Sequence, residues 1–128
     1  MSITNIQVLD ISNGLIHIKT EEMMMQISLS SIFLMRIHAE TKKLELYLPQ
    51  ITLTAETVST EIANKLPSVF FRFPVENEIL CINMRRVAFL NWNKKAMIVH
   101  FDSGMPLTFS MDNESVFFRM CEIHESLR

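Results

Sequence analysis

The basic side chains are the part of this sequence whose placement could do chemistry. Arg36, Lys42, Lys43, Arg72, Arg85, Arg86, Lys94 and Lys95 fall at expected strand ends or in turns. Cations on loop tips can release counterions from phosphates, and arginine can pair with guanine in the major groove. Lysine pairs in turns are also ordinary solvated surface, so position alone leaves both readings open. Other chemistries do not assemble. His17, His38, His100 and His124 are scattered, without HxxxH or CxxC spacing, so neither a metal site nor a cofactor is expected. There is no GxSxG elbow, and two glycines, Gly14 and Gly104, are too few for a phosphate cradle. The acids are dispersed as on a solvated surface. An enzyme is therefore not expected.

The bulk composition narrows the class further. A chain of 128 residues with 48% hydrophobic and 20% charged residues reads as one folded domain, 1–128. Its apolar runs fall short of the ~18 residues a membrane helix needs. The N-terminus lacks the charged and apolar regions of an export signal, so a cytoplasmic protein is expected. Net charge is −2 and the pI is near 6.1, which is less basic than a typical nucleic-acid-binding domain. A local basic patch would be enough to overcome that. Cys81 and Cys121 each lie in apolar stretches and read as reduced, buried, small hydrophobes.

The elements that must position these residues are mostly strands. Apolar and polar residues alternate at 15–18, 23–29, 44–48 and 51–54, and β-forming residues dominate 32–37. The period then lengthens. Val58, Ile62 and Leu66 are four apart, predicting a short helix started at Thr54 or Thr57 and ended by Pro67. Strands resume at 69–73, 79–83, 87–90, 97–101 and 107–109, with Asp102-Ser103-Gly104 as a turn. A last helix is predicted from Asp112 as N-cap, with Val116, Met120, Ile123 and Leu127 as its apolar stripe.

The two halves of the chain repeat one another. Residues 27–35 line up with residues 82–90. Each is followed by a turn holding a lysine pair, Lys42-Lys43 or Lys94-Lys95, then by alternating strands and a helix. The expectation is a mostly β domain with two short helices, arranged as two related β-β-β-α halves around a shared core.

The order of segments from Leu15 to Ile123 resembles the LytTR DNA-binding domain of bacterial response regulators. Ile27-Ser28-Leu29-Ser30-Ser31-Ile32 is similar to that family's l..I..i stretch. Leu66-Pro67 and Phe70-Phe71-Arg72 follow, the latter resembling F-x-R. Ile82-Asn83-Met84-Arg85-Arg86-Val87 resembles V-N-x-x-x-I, and residues 97–110 resemble its closing hairpin and serine step. The resemblance implies an elongated, multi-sheet β fold that enters the DNA major groove by its loops. By position it implies that the turn at Lys42-Lys43, the residue Asn83 and the turn after Ser110 face DNA. The chain departs from the pattern in two places. Phe73-Pro74-Val75-Glu76-Asn77-Glu78 replaces a basic or polar stretch after F-x-R, and Met111-Asp112 stands where an arginine is usual.

Two functions follow as expectations. The first is a standalone transcriptional regulator binding duplex DNA through Lys42, Lys43, Asn83, Arg85, Arg86, Lys94 and Lys95, with Arg72 in support. The second is a protein–protein interaction or homodimerisation module on the same scaffold. Its motivation is the acidic replacements and the 10 methionines, which suit an adaptable surface.

Overall fold

The computed structural model describes residues 2–56 and 60–128. The chain runs β1 (Ser2–Ser12), β2 (Leu15–Lys19), β3 (Met24–Ser28), β4 (Leu34–His38), β5 (Lys43–Leu48), β6 (Ile51–Ala55), β7 (Phe70–Val75), β8 (Glu78–Asn83), β9 (Val87–Trp92), β10 (Ala96–Phe101), β11 (Leu107–Ser110) and α1 (Glu114–Ser126). Single 3-10 turns occupy Leu29–Ser31 and Met84–Arg86, and a longer 3-10 segment occupies Thr60–Lys65. Eight strands form one sheet in the order β3-β2-β1-β6-β5-β4-β8-β7, and three form a second in the order β11-β10-β9. Every pairing is antiparallel except β1 with β6.

Strands β4, β8 and β7, the last three at one end of the large sheet, serve two cores. Alternate residues of a strand leave on opposite faces. Met35 and Ile37 of β4, Phe70 of β7 and Cys81 of β8 therefore enter one core, shared with Ile16, Ile18, Leu44 and Leu46. Leu34, Phe71, Leu80 and Ile82 leave by the other face and meet Met97, Val99, Phe109 and Met120 of the second sheet and α1. A strand covered on both faces reads as an apolar run, which is why 79–82 is nearly continuous in apolar residues.

The structural repeat is present in the backbone. Ile27-Ser28 and Ile82-Asn83 end their strands, and a 3-10 turn with a buried first residue, Leu29 or Met84, follows each. In both copies the next residue closes the turn, Ile32 N–H donating to Leu29 O and Val87 N–H to Met84 O. A three-stranded meander follows, β4-β5-β6 or β9-β10-β11. Its first hairpin turn holds a lysine with positive φ, +53° at Lys42 and +76° at Lys94.

Four expectations need correction. The helix expected around Ile62 is a 3-10 turn, Thr60–Lys65, so α1 is the one α-helix among the described residues. Its period-four stripe does bury Ile62 and Leu66, while Val58 and Thr57 lie outside the described residues and Thr54 belongs to β6. The strand expected from Ile32 begins at Leu34, because Ile32 closes the preceding turn. The cap of α1 is Asn113, whose Oδ1 accepts from Ser115 N at 2.9 Å, and Asp112 stands outside it. Strand β1 was not expected at all, yet it joins the two ends of the large sheet. Asn13 and Gly14, both at positive φ (+54° and +75°), form the two-residue turn that folds β2 back on it. No helix of the described residues is long and apolar enough to cross a membrane.

Both cysteines are free. Cys81 is fully buried, and burial pushes its thiol up to about 12. Cys121, expected to be buried, is only half-buried, and its thiol is raised by burial and then by Glu125. The thiolate is the reactive form. A thiol reagent such as DTNB at about pH 8 should therefore label Cys121 in the folded protein and reach Cys81 only on unfolding. Equal labelling rates for both in the folded protein would contradict the enclosed position of Cys81.

Candidate nucleic-acid interface

The eight residues expected to carry DNA contact separate into groups. Strand register fixes the first. His38 pairs with both Lys43 and Glu78, and Ala39 N donates to Asn77 O at 2.8 Å. The Lys42-Lys43 turn therefore lies beside the Glu76-Asn77 turn. In the second sheet, Met111 N donates to Lys95 O at 2.9 Å, so the Lys94-Lys95 turn lies beside the start of α1. Asn93 shapes that turn, its Oδ1 accepting from both Lys95 N (2.9 Å) and Ala96 N (2.7 Å).

Two aromatic contacts align the sheets. Phe33 packs on Phe101 and Phe73 on Phe109, each with ring centroids 5.1 Å apart. Passing from the first contact to the second approaches the Glu76-Asn77 turn in one sheet and the Lys94-Lys95 turn in the other. Lys42, Lys43, Lys94 and Lys95 thus lie toward one end of the domain. Acids stand among them: Glu40 in the first turn, Glu76 in its neighbour, and Asp112, which lines one small depression together with Lys95.

The other four are placed differently. Arg85 and Arg86 follow the far end of β8, a strand length of roughly 17 Å from Glu78. Arg86 is held by Asp102, Nε to Oδ2 at 3.0 Å, and donates from Nη1 to Ser30 O at 3.3 Å. Arg85 is exposed at that end. Arg72 lies within β7, where its Nη1 donates to Ala63 O at 2.8 Å and steadies the 3-10 turn. Asn83 corrects the expectation most clearly. It is 1% exposed, its Nδ2 donates to Ile32 O at 2.8 Å, and its Oδ1 accepts from Arg85 N at 3.1 Å. A side chain committed to two internal bonds in the core presents no edge to a base.

Sequence reading also missed a polar network on the outer face of β4, β5 and β8. His38 lies between two carboxylates, Nε2 at 2.7 Å from Glu45 Oε1 and Nδ1 at 3.3 Å from Glu78 Oε2. Tyr47 donates to Glu45 Oε2 at 3.1 Å. Burial first, and then the Glu45 carboxylate, hold the Tyr47 phenol above its ordinary pKa. Arg36 Nε stands 3.4 Å from Glu78 Oε1, with the Tyr47 ring 5.9 Å from its guanidinium carbon. The signal was available. Arg36 and His38 alternate with Met35 and Ile37, and Glu45 and Tyr47 alternate with Leu44 and Leu46, so a hairpin turning at Lys42 puts all four on one face.

No family model and no curated protein matches the chain. Among solved structures, a LytTr DNA-binding domain from Bacillus cereus superposes with a TM-score of 0.63 at 15% sequence identity, covering 86% of this chain and 98% of that one. The agreement spans most of this chain and nearly all of that one, so the fold of this chain is that of a LytTR-like domain.

Proposed function

We propose that the domain binds duplex DNA through the end that carries Lys42, Lys43, Lys94 and Lys95, as the output of a transcriptional regulator. The observation that carries this reading is the pairing of repeats. Equivalent hairpin turns in two different sheets bring a lysine pair each to the same end of the molecule. Two cationic tips on rigid sheets can straddle a polyanion, and the structural relative of this fold is a DNA-binding domain. Arg85, Arg86, Arg72 and Asn83 are outside this contact set. Four lysines and no positioned base reader make a phosphate-dominated grip, tolerant of sequence and sensitive to salt.

A fluorescence-anisotropy titration of a mixed-sequence duplex tests it. Four phosphate contacts give a log–log salt slope of roughly −3.6, or about a hundredfold loss of affinity between ~50 and ~200 mM salt. Changing all four lysines to alanine should flatten that slope toward zero. Affinity weaker than ~10⁻⁴ M at low salt, or a slope indifferent to the four substitutions, overturns the proposal. In that event the second reading, a protein-interaction module, gains. Its observation is the edge strand β3, which leaves Met24 73% exposed next to a row of unpaired backbone groups.

A further inference from the structure

Between the two sheets, on the outer face of β4 and β5, lies a cleft of about 480 Å³. Phe33, Leu34, Leu48, Ile51, Phe101 and Leu107 make its walls apolar. Arg36 is its one charged lining residue. The segment after β10 closes one side of it. Gly104, at φ +84°, lies so close to Phe33 that a Cβ there would stand 2.8 Å from the ring's Cζ. Met105, 83% exposed, sits at the rim as a flexible apolar flap.

Arg36 is unusual in this setting. Its Nε is buried and makes no hydrogen bond, and no hydrogen bond from its Nη groups to a described residue is present. Its nearest acid, Glu78, is held at 3.4 Å and is shared with His38. The guanidinium is instead propped over the Tyr47 ring at 5.9 Å. A planar fork with undirected N–H groups at an apolar cleft matches a carboxylate, which can accept two of those hydrogens in parallel. Glu78 and Glu45, the latter in register with Arg36 on β5, already offset the guanidinium charge, which disfavours a dianionic phosphate more than a monoanion. A volume of this size and an aromatic lining suit a ligand of about a dozen heavy atoms.

We propose that this cleft is a binding site for a small amphipathic monocarboxylate, an arylalkyl acid, with its carboxylate on Arg36 and its ring against the apolar wall that Phe33 and Phe101 form together. The site is independent of the DNA-binding reading. It lies in the seam between the sheets, one of which carries Lys42-Lys43 and the other Lys94-Lys95.

Calorimetric titration of the whole chain with 4-phenylbutyrate tests the assignment, with 4-phenylbutan-1-ol as the neutral match. The acid should bind with Kd below about 1 mM and at least tenfold more tightly than the alcohol. Arg36→Gln should bring the acid to the level of the alcohol. Ile51→Trp, which fills the cleft and leaves Arg36 in place, should abolish both, and circular dichroism establishes that each variant is folded. Equal binding of acid and alcohol removes the carboxylate from the proposal. Failure of the acid to bind, or binding that survives Ile51→Trp, overturns the site itself.

Discussion

Replacing Asn83 with alanine should lower the unfolding free energy by about 3 kcal/mol and the melting temperature by roughly 10 °C. Asn83 is the buried polar side chain of the described residues. Its Nδ2 holds the carbonyl of Ile32, which is itself 0% exposed and 51 positions away in sequence. Its Oδ1 caps the Met84–Arg86 turn at Arg85 N. Removing the amide leaves that buried carbonyl without its side-chain donor, at about 1–3 kcal/mol, and takes away the cap, typically about 1 kcal/mol. Asn83→Asp should be at least as damaging, since it turns the donor to Ile32 O into a buried anion against a carbonyl oxygen. The repeat supplies a control. Ser28 occupies the equivalent position before the Leu29–Ser31 turn, is exposed, and makes no capping bond. Ser28→Ala should stay within about 0.5 kcal/mol of the parent. A loss under about 1 kcal/mol for Asn83→Ala in chemical denaturation would contradict the tie described here. The backbone at the same point joins the halves as well, with Asn83 N donating to Phe33 O and Met84 N to Val69 O. Asn83 therefore acts through the fold, by fixing where the chain passes from β8 to β9 and so how the Lys94-Lys95 turn is carried.

What could be read from the sequence follows from which forces are local. The alternation in β2, β5, β6 and β10 is a local consequence of one face being buried, and those strands appear where the pattern places them. The repeat was legible for the same reason, because matching residue types at 27–35 and 82–90 impose the same strand and tight turn. Strand β1 was not legible. Asn5 at φ +57° and two register shifts break its alternation, and it is held by β2 and β6 rather than by its own pattern. The Asn13-Gly14 pair between apolar runs was the available clue. The 3-10 turn at Thr60–Lys65 shares the four-residue spacing of a helix, and with Pro67 so close the spacing could not set its length. The site divides along the same line. Lysine pairs in turns are visible because turns are local. The burial of Asn83, the pairing of Arg86 with Asp102 and the unsatisfied Arg36 are tertiary facts, set by contacts from 16 to 51 positions away or across three strands.

Asp112→Arg should tighten duplex binding by roughly tenfold or more at about 0.1 M salt. The aspartate is exposed, and it lines the same small depression as Lys95. Its carboxylate repels phosphate and offsets one of the four lysines. Each added phosphate contact at that salt contributes roughly eightfold, so an arginine that makes one contact and removes one repulsion exceeds a single contact's gain. The salt slope should steepen by about 0.9. Folding leaves room for the change, because Asn113 and not Asp112 caps α1. An arginine near a helix N-terminus opposes the helix dipole by less than about 1 kcal/mol. Asp112→Asn separates the two contributions, relieving the repulsion without adding a contact, and should fall between the parent and the arginine variant. Glu125→Arg makes the same charge change at the other end of α1, where His124 meets the carbonyl of Val87. It should raise affinity far less. Equal gains from Asp112→Arg and Glu125→Arg would mean that net charge alone draws the chain to DNA. No gain from either would mean that the end bearing the four lysines does not touch DNA.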